Sequence, residues 1–300
     1  LGMLACSGPK PASDGTTGPL PDGVGAFVTP TPRPLDYPTR LALAADGTLF
    51  VSDPRGGAVY GYQGEKRTLQ ITGMDRPLGL AVHEQTLYIG QDGRDRVDAY
   101  DLGTGRFAFS LGEAGDVAMP SAISISPDGD EIFVVDSVNH RVAVFTADGA
   151  LRSHFGVHGS GPGQLDFPIA VAVDGQRVVV ADQGNSRIHL FGRDLQWQKS
   201  FGAEFTGPLS DVASLRGHFT RLQGVAITAE RILALDSSQA FVQVFDLEGA
   251  HLGFSLPIAV AEKGLRLFLD LRADSSGKIW LSDPDKSSWL SISLDIKQAP

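Results

Sequence analysis

The chain has 300 residues, a net charge of −10 and an isoelectric point near 5.1, and its 25 basic residues are spread along its length. It therefore offers no positive field to hold nucleic-acid phosphates, and nucleic acid is excluded as a partner. No apolar run approaches the roughly 20 residues that span a bilayer, and the single cysteine rules out a disulfide within the chain.

Residues 1–23 differ in composition from the rest of the chain. Leu-Gly-Met-Leu-Ala-Cys6 reads as the tail of a signal peptide, and Ser7 to Pro21 is rich in glycine, proline and serine, the composition of a flexible tether. The first segment resembles the bacterial lipobox, departing from it at Met3 and Leu4. The resemblance implies acylation of Cys6 and a lipid-anchored protein of the bacterial periplasm or outer membrane, touching the membrane only through that lipid.

Residues 24–300 are expected to form one domain built of repeats. Six short β-like runs end in an aspartate, at Asp53, Asp92, Asp136, Asp182, Asp236 and Asp283, with gaps of 39, 44, 46, 54 and 47 residues. A period of this size marks one supersecondary unit copied and stacked. The first two copies are loose, keeping the inner strand and turn of Leu41 to Asp53 but carrying Arg94-Asp-Arg96 after the second aspartate. Copies three (Pro120 to Phe145) and four (Pro168 to Phe191) show three strand signals each, with an Asp-Gly turn after the first, and a fourth strand closes on Phe155-Gly156 or Phe201-Gly202. Four antiparallel strands per copy make a propeller blade. Copies five and six are again loose, and the sixth is one strand short, with signals only at Phe268 to Ala273, Lys278 to Ser282 and Trp289 to Leu294. The segment Val24 to Thr29 has no other partner and is expected to supply the missing outer strand.

The Asn139-His140 pair, its copy-four counterpart Asn185-Ser-Arg187 and the glycine-rich lead-in Gly159 to Pro168 resemble the NHL repeat. That resemblance, with bacterial NHL-repeat lipoproteins as its nearest type, implies an all-β, six-bladed propeller over roughly residues 24 to 296.

Candidate chemistry divides into repeated and unrepeated residues. Asp136, Asn139 and Arg141 recur as Asp182, Asn185 and Arg187, and a set copied in successive blades is expected to cap turns and bridge strands, not to catalyse. The seven histidines show no short zinc-ligand spacing; His158 and His218, in inter-blade loops, are the two to watch as ligands. Enzymatic six-bladed relatives of the gluconolactonase-like and amidating-lyase kinds imply metal ligands at the starts of the inner strands. Here those positions are mostly apolar or small, and the exceptions, Arg40, Gln223, Asp270 and Arg272, do not make a cation site. The long connection 203–220 carries Phe205, Leu209, Leu215, His218 and Phe219, a candidate partner-binding loop.

The expectation is thus a non-enzymatic scaffold at the cell envelope, a monomer on its own, holding no cofactor and no metal and presenting its loops to a protein partner. A metal-dependent lactonase or lyase working in the central funnel is the first alternative. A sugar- or peptide-binding propeller is the second, favoured if Trp197, Trp280 and Trp289 are exposed on one face.

Overall fold

Short runs of Val, Ile and Leu between Asp-Gly or similar turns leave each strand too brief to stand alone, so the chain folds as meanders of four. The computed structural model describes residues 28–30, 35–207, 212–254, 267–274 and 276–293. A first strand, β1 (Val28–Pro30), is followed by blade one: β2 (Leu41–Leu43), β3 (Leu49–Asp53), β4 (Ala58–Gln63) and β5 (Lys66–Thr72). Blade two comprises β6 (Pro77–His83), β7 (Thr86–Gln91), β8 (Arg96–Asp101) and β9 (Arg106–Leu111). Blade three comprises β10 (Pro120–Ile125), β11 (Glu131–Asp136), β12 (Arg141–Thr146) and β13 (Leu151–Phe155). Blade four comprises β14 (Pro168–Val173), β15 (Arg177–Asp182), β16 (Arg187–Gly192) and β17 (Trp197–Phe201). A two-strand parallel pair, β18 (Ala203–Glu204) and β19 (His218–Phe219), precedes blade five: β20 (Leu222–Ile227), β21 (Arg231–Asp236), β22 (Phe241–Asp246) and β23 (His251–Phe254). Blade six takes β24 (Leu271–Ala273), β25 (Lys278–Asp283) and β26 (Ser288–Ser293) from the end of the chain.

The ring closes as the one-strand deficit predicts. β1 pairs antiparallel with β26, Val28 opposite Ile292 and Pro30 opposite Leu290, and becomes the outer strand of blade six. A proline is tolerated there because an outer strand needs ladder donors on one side only. Residues 1–27, Cys6 and the tether with them, lie outside the described residues. Among the described residues no helix is long and apolar enough to cross a membrane.

In blades one, three, four and five the repeated aspartate holds the blade to the connection that leads into it. Asp53 accepts the backbone N–H of Asp36 at 2.6 Å, Asp136 that of Ala118 at 2.8 Å, Asp182 that of Asp166 at 2.6 Å and Asp236 that of Thr220 at 2.7 Å. In blade two the register corrects the sequence reading. Gln91, not Asp92, stands opposite Pro77 and Arg96, where Asp136 stands opposite Pro120 and Arg141. Its Oε1 accepts the N–H of Asp75 at 3.0 Å, and its amide donates to the buried Asp98, which also takes Arg96 and Ser110. The carboxylate has moved one strand outward, and the polar group it leaves behind stays paired.

Packing between blades is close. A Cβ added to Gly90 would sit 2.5 Å from the carbonyl oxygen of Pro120 in the next blade, so only glycine lets β7 approach β10 there. Rings fill the outer seams, with Phe155 against Phe191 at 4.8 Å and Phe201 against Phe245 at 5.0 Å between centroids.

Candidate functional site

Arg40 enters the axis of the ring just before β2. One terminal nitrogen, Nη1, donates to the carbonyls of Leu269 at 3.0 Å and Gln223 at 3.4 Å and faces Asp270 Oδ1 at 3.4 Å, while Nη2 donates to the carbonyl of Ile169 at 2.9 Å. Blades four, five and six thus meet on one guanidinium, with Arg40 and Asp270 both buried. Burial pulls the Arg40 pKa below its ordinary value, and the nearby Arg272 adds to this while Asp270 opposes it. This end of the channel is filled by the protein's own cation, so the carbonyl and carboxylate oxygens that a metal would use are already taken.

The opposite end is open. Where the inner strands finish, all six blades line a cavity of about 970 Å³ with aliphatic side chains, and His83, Glu84, Arg272, Lys278 and Trp280 add polar or aromatic groups. Lys278 Nζ lies 4.9 Å from the centroid of the Trp280 ring. Arg272 is anchored through Nε to the carbonyl of Leu41 at 2.8 Å, and its buried Nη2 finds no acceptor among the described residues. Asp274 also lines the cavity, with its Oδ1 taken up in a tight turn by Ser276 and the N–H of Lys278.

On the closed end, three potential ligands gather at the junction of blades three and four. His140, His158 and Asp166 each offer one donor atom, all within 4.8 Å of one another, and no other group of three His, Cys, Asp or Glu does so among the described residues. His140 closes the turn between β11 and β12 in a left-handed conformation, φ 55°. His158 and Asp166 come from the connection that follows β13, folded back by Leu165 N–H to the carbonyl of Val157 at 2.8 Å and Gly159 N–H to that of Leu165 at 3.0 Å. Its place in an inter-blade loop singled out His158 in the sequence but not its partners, because their convergence depends on this fold-back. His218, the other histidine to watch, is partly exposed, and its Nδ1 pairs with the Arg216 carbonyl at 2.9 Å.

The repeat signature is structural in its contacts. Asp136 takes both Asn139 Nδ2 at 3.0 Å and Arg141 Nε at 2.8 Å, and Arg141 reaches on to the carbonyl of Asp116. Asp182 likewise takes Asn185 at 2.8 Å, Arg187 at 3.0 Å and His189 at 3.1 Å, while Arg187 holds the carbonyls of Ser160, Gly161 and Gln164. Burial pushes the Asp182 carboxyl up, and these donors together outweigh it, leaving its pKa below the usual value.

The expected partner loop is corrected in part. Leu215 and Phe219 are buried and pack inward, and Gln243 ties the segment to its own blade through Gly217 N–H at 2.9 Å and the His218 carbonyl. Phe205 and His218 keep partial exposure, and Leu209 lies outside the described residues. Nor do the tryptophans share a face: Trp289 is buried, Trp280 lines the cavity, and Trp197 is exposed on an outer strand.

Residues 118–145 match the family model of the NHL repeat. No curated protein matches the chain by sequence. Among solved structures, a catalytically inactive virginiamycin B lyase from Staphylococcus aureus with quinupristin superposes at a TM-score of 0.61, 12% identity, 88% of this chain and 82% of that one. A proposed gluconolactonase gives 0.66 at 15% identity over 90% and 93%, and hydrazine synthase of Kuenenia stuttgartiensis 0.62 at 13% over 87% and 97%. At such identities the likeness carries the fold. It also corrects the expectation of a non-enzymatic scaffold: lyase, lactonase and synthase names stand on propellers of this shape, so the shape gives no ground for denying an activity.

Proposed function

We propose that the protein is an enzyme of the lyase or lactonase kind that takes a small ester-bearing substrate into the open mouth of the funnel. The observation that carries this is the open cavity itself, about 970 Å³, walled by aliphatic strand ends, with Arg272 and Lys278 on one side and the acidic Glu84 and Asp274 also in its lining. Such a cavity desolvates an ester while leaving charge-stabilising groups at its edge. The Lys278 ammonium suits an oxygen on which negative charge develops, and the Arg272 guanidinium, held by Leu41 and Asp270, adds to the positive field there. The His83 imidazole, beside the Glu84 carboxylate in the lining, can accept a proton, as both elimination and hydrolysis require. A metal in the funnel is not favoured by these residues: His83, Glu84 and Asp274 line it, but among the described residues the one group of three ligands within 4.8 Å lies at the other end.

The test is turnover of a sugar lactone and of quinupristin by the full chain, with Lys278→Ala and His83→Ala beside it. Turnover should fall at least about 100-fold in the His83 variant, the scale of losing one proton-transfer group. Turnover equal in both variants and the parent would move the chemistry out of the funnel, and no turnover or binding of either probe would overturn the reading.

A further inference from the structure

We propose that His140, His158 and Asp166 form a site for one divalent transition-metal ion of the zinc class, on the closed face of the ring and separate from the funnel cavity. The geometry sets three electron-rich atoms against each other. His140 Nδ1 lies 3.2 Å from Asp166 Oδ1, His158 Nε2 lies 3.6 Å from the same oxygen, and the two imidazole rings are 4.2 Å apart. Phe167 N–H donates to His140 Nδ1 at 2.9 Å. An amide can only donate, so Nδ1 is an acceptor there, and it meets the carboxylate with no proton between them. Positive charge resolves this contact. Either a proton or a cation on Nδ1 takes the lone pair that Phe167 N–H now uses, so that bond yields in both cases. A cation differs in that it draws the carboxylate and both rings together.

The donor set selects the ion. Two imidazoles with one carboxylate suit zinc, cobalt or nickel over calcium or magnesium, which take oxygen ligands. Asp166 is held in place by its own N–H bond to Asp182 Oδ1 at 2.6 Å, a supporting contact of the sort that orients metal ligands. The His158 side chain is 68% exposed, so three protein ligands leave a coordination position facing solvent.

The ion's structural effect would be to pin the connection between blades three and four onto the β11–β12 turn. The experiment uses the full chain, stripped with chelator and dialysed, then titrated with Zn²⁺ by calorimetry and with Co²⁺ by visible absorption. One ion per chain at micromolar or tighter affinity is expected, with the intense d–d bands of a four-coordinate cobalt site. His158→Ala, at an exposed position that costs the fold little, should weaken Zn²⁺ binding at least about tenfold, and Asp166→Asn should do the same. His83→Ala should bind Zn²⁺ like the parent, which separates this site from the funnel. Absence of Zn²⁺ binding, or equal affinity in the His158 variant, would overturn the site.

Discussion

At the scale of single residues, the molecule places charge where burial is costly and pairs it each time. Arg40 shows what removal would do. Arg40→Met strips the plug from three carbonyls and leaves Asp270, fully buried, with only Arg272 Nη1 and the Leu41 N–H as partners. Breaking a buried pair from one side costs about 3–5 kcal/mol, so urea unfolding of this variant should show a loss of that order; a loss below about 1 kcal/mol would mean the axis tolerates an empty plug. His251 behaves differently. Burial, with Arg216 adding to it, lowers its pKa from 6.5 to about 4, and its Nε2 has no partner among the described residues. The folded pKa lies below the unfolded one, so between about pH 6.5 and 4 the unfolded chain takes up a proton that the folded chain refuses. Stability should fall as pH falls through that window and lose nothing more from this group below it. Solvent screening of a half-buried ring holds the loss to about 1 kcal/mol. His251→Phe, packing between Phe245 and Phe254, should flatten that part of the profile in melts taken from pH 7 to 4, and an unchanged slope would assign it to other groups. Of these residue roles the sequence showed only hints. Arg40 stood out among small neighbours, but its partners lie 129 to 230 positions away. Spacings of 18 and 8 residues among His140, His158 and Asp166 fit no linear motif.

At the scale of elements, what alternates in sequence was legible and what depends on register was not. The runs of blades three and four became β10 to β17 within a residue or two, because Asp-Gly turns and β-branched strands leave little choice of local structure. In blade two the adjacent Gln91 and Asp92 compete for one position. Both are polar, so only the pairing of β7 with β6 and β8 decides between them. The connection 203–219 looked like an independent binding element for the same reason. Its apolar residues could face out or in, and the parallel pairing of β18 with β19 turns Phe219 onto the Phe245 ring, 6.2 Å between centroids. Blade six, like blade one, has an inner strand of only three residues; Phe268 and Leu269 are buried ahead of β24, with Leu269 N–H reaching the Ser282 carbonyl of β25 at 3.3 Å, so the regular strand starts three residues later than the sequence reading.

At the scale of the whole molecule, the ring stands on two long-range devices: the Arg40 plug at its centre and β1 at its closing seam. The second is the more exposed to attack, because β1 supplies three residue pairs to β26 and its loss would leave that strand as a free edge. β26 carries Trp289, Leu290 and Ile292, all buried, on the sheet that would be uncovered. A free, flat, apolar edge recruits other chains. Removing residues 1–23, which precede β1, should therefore leave the melting temperature and the elution volume of the full chain unchanged. Removing residues 1–31 should lower stability by about 2 kcal/mol, a shift of several degrees at this size, and should bring concentration-dependent association in sedimentation runs. If the two truncations melt together and both sediment as monomers, the closure through β1 contributes nothing and blade six must stand on three strands. A drop confined to the longer truncation would instead make the seam the weakest joint of the ring, opening first on heating while the funnel walls of blades three to five stay folded.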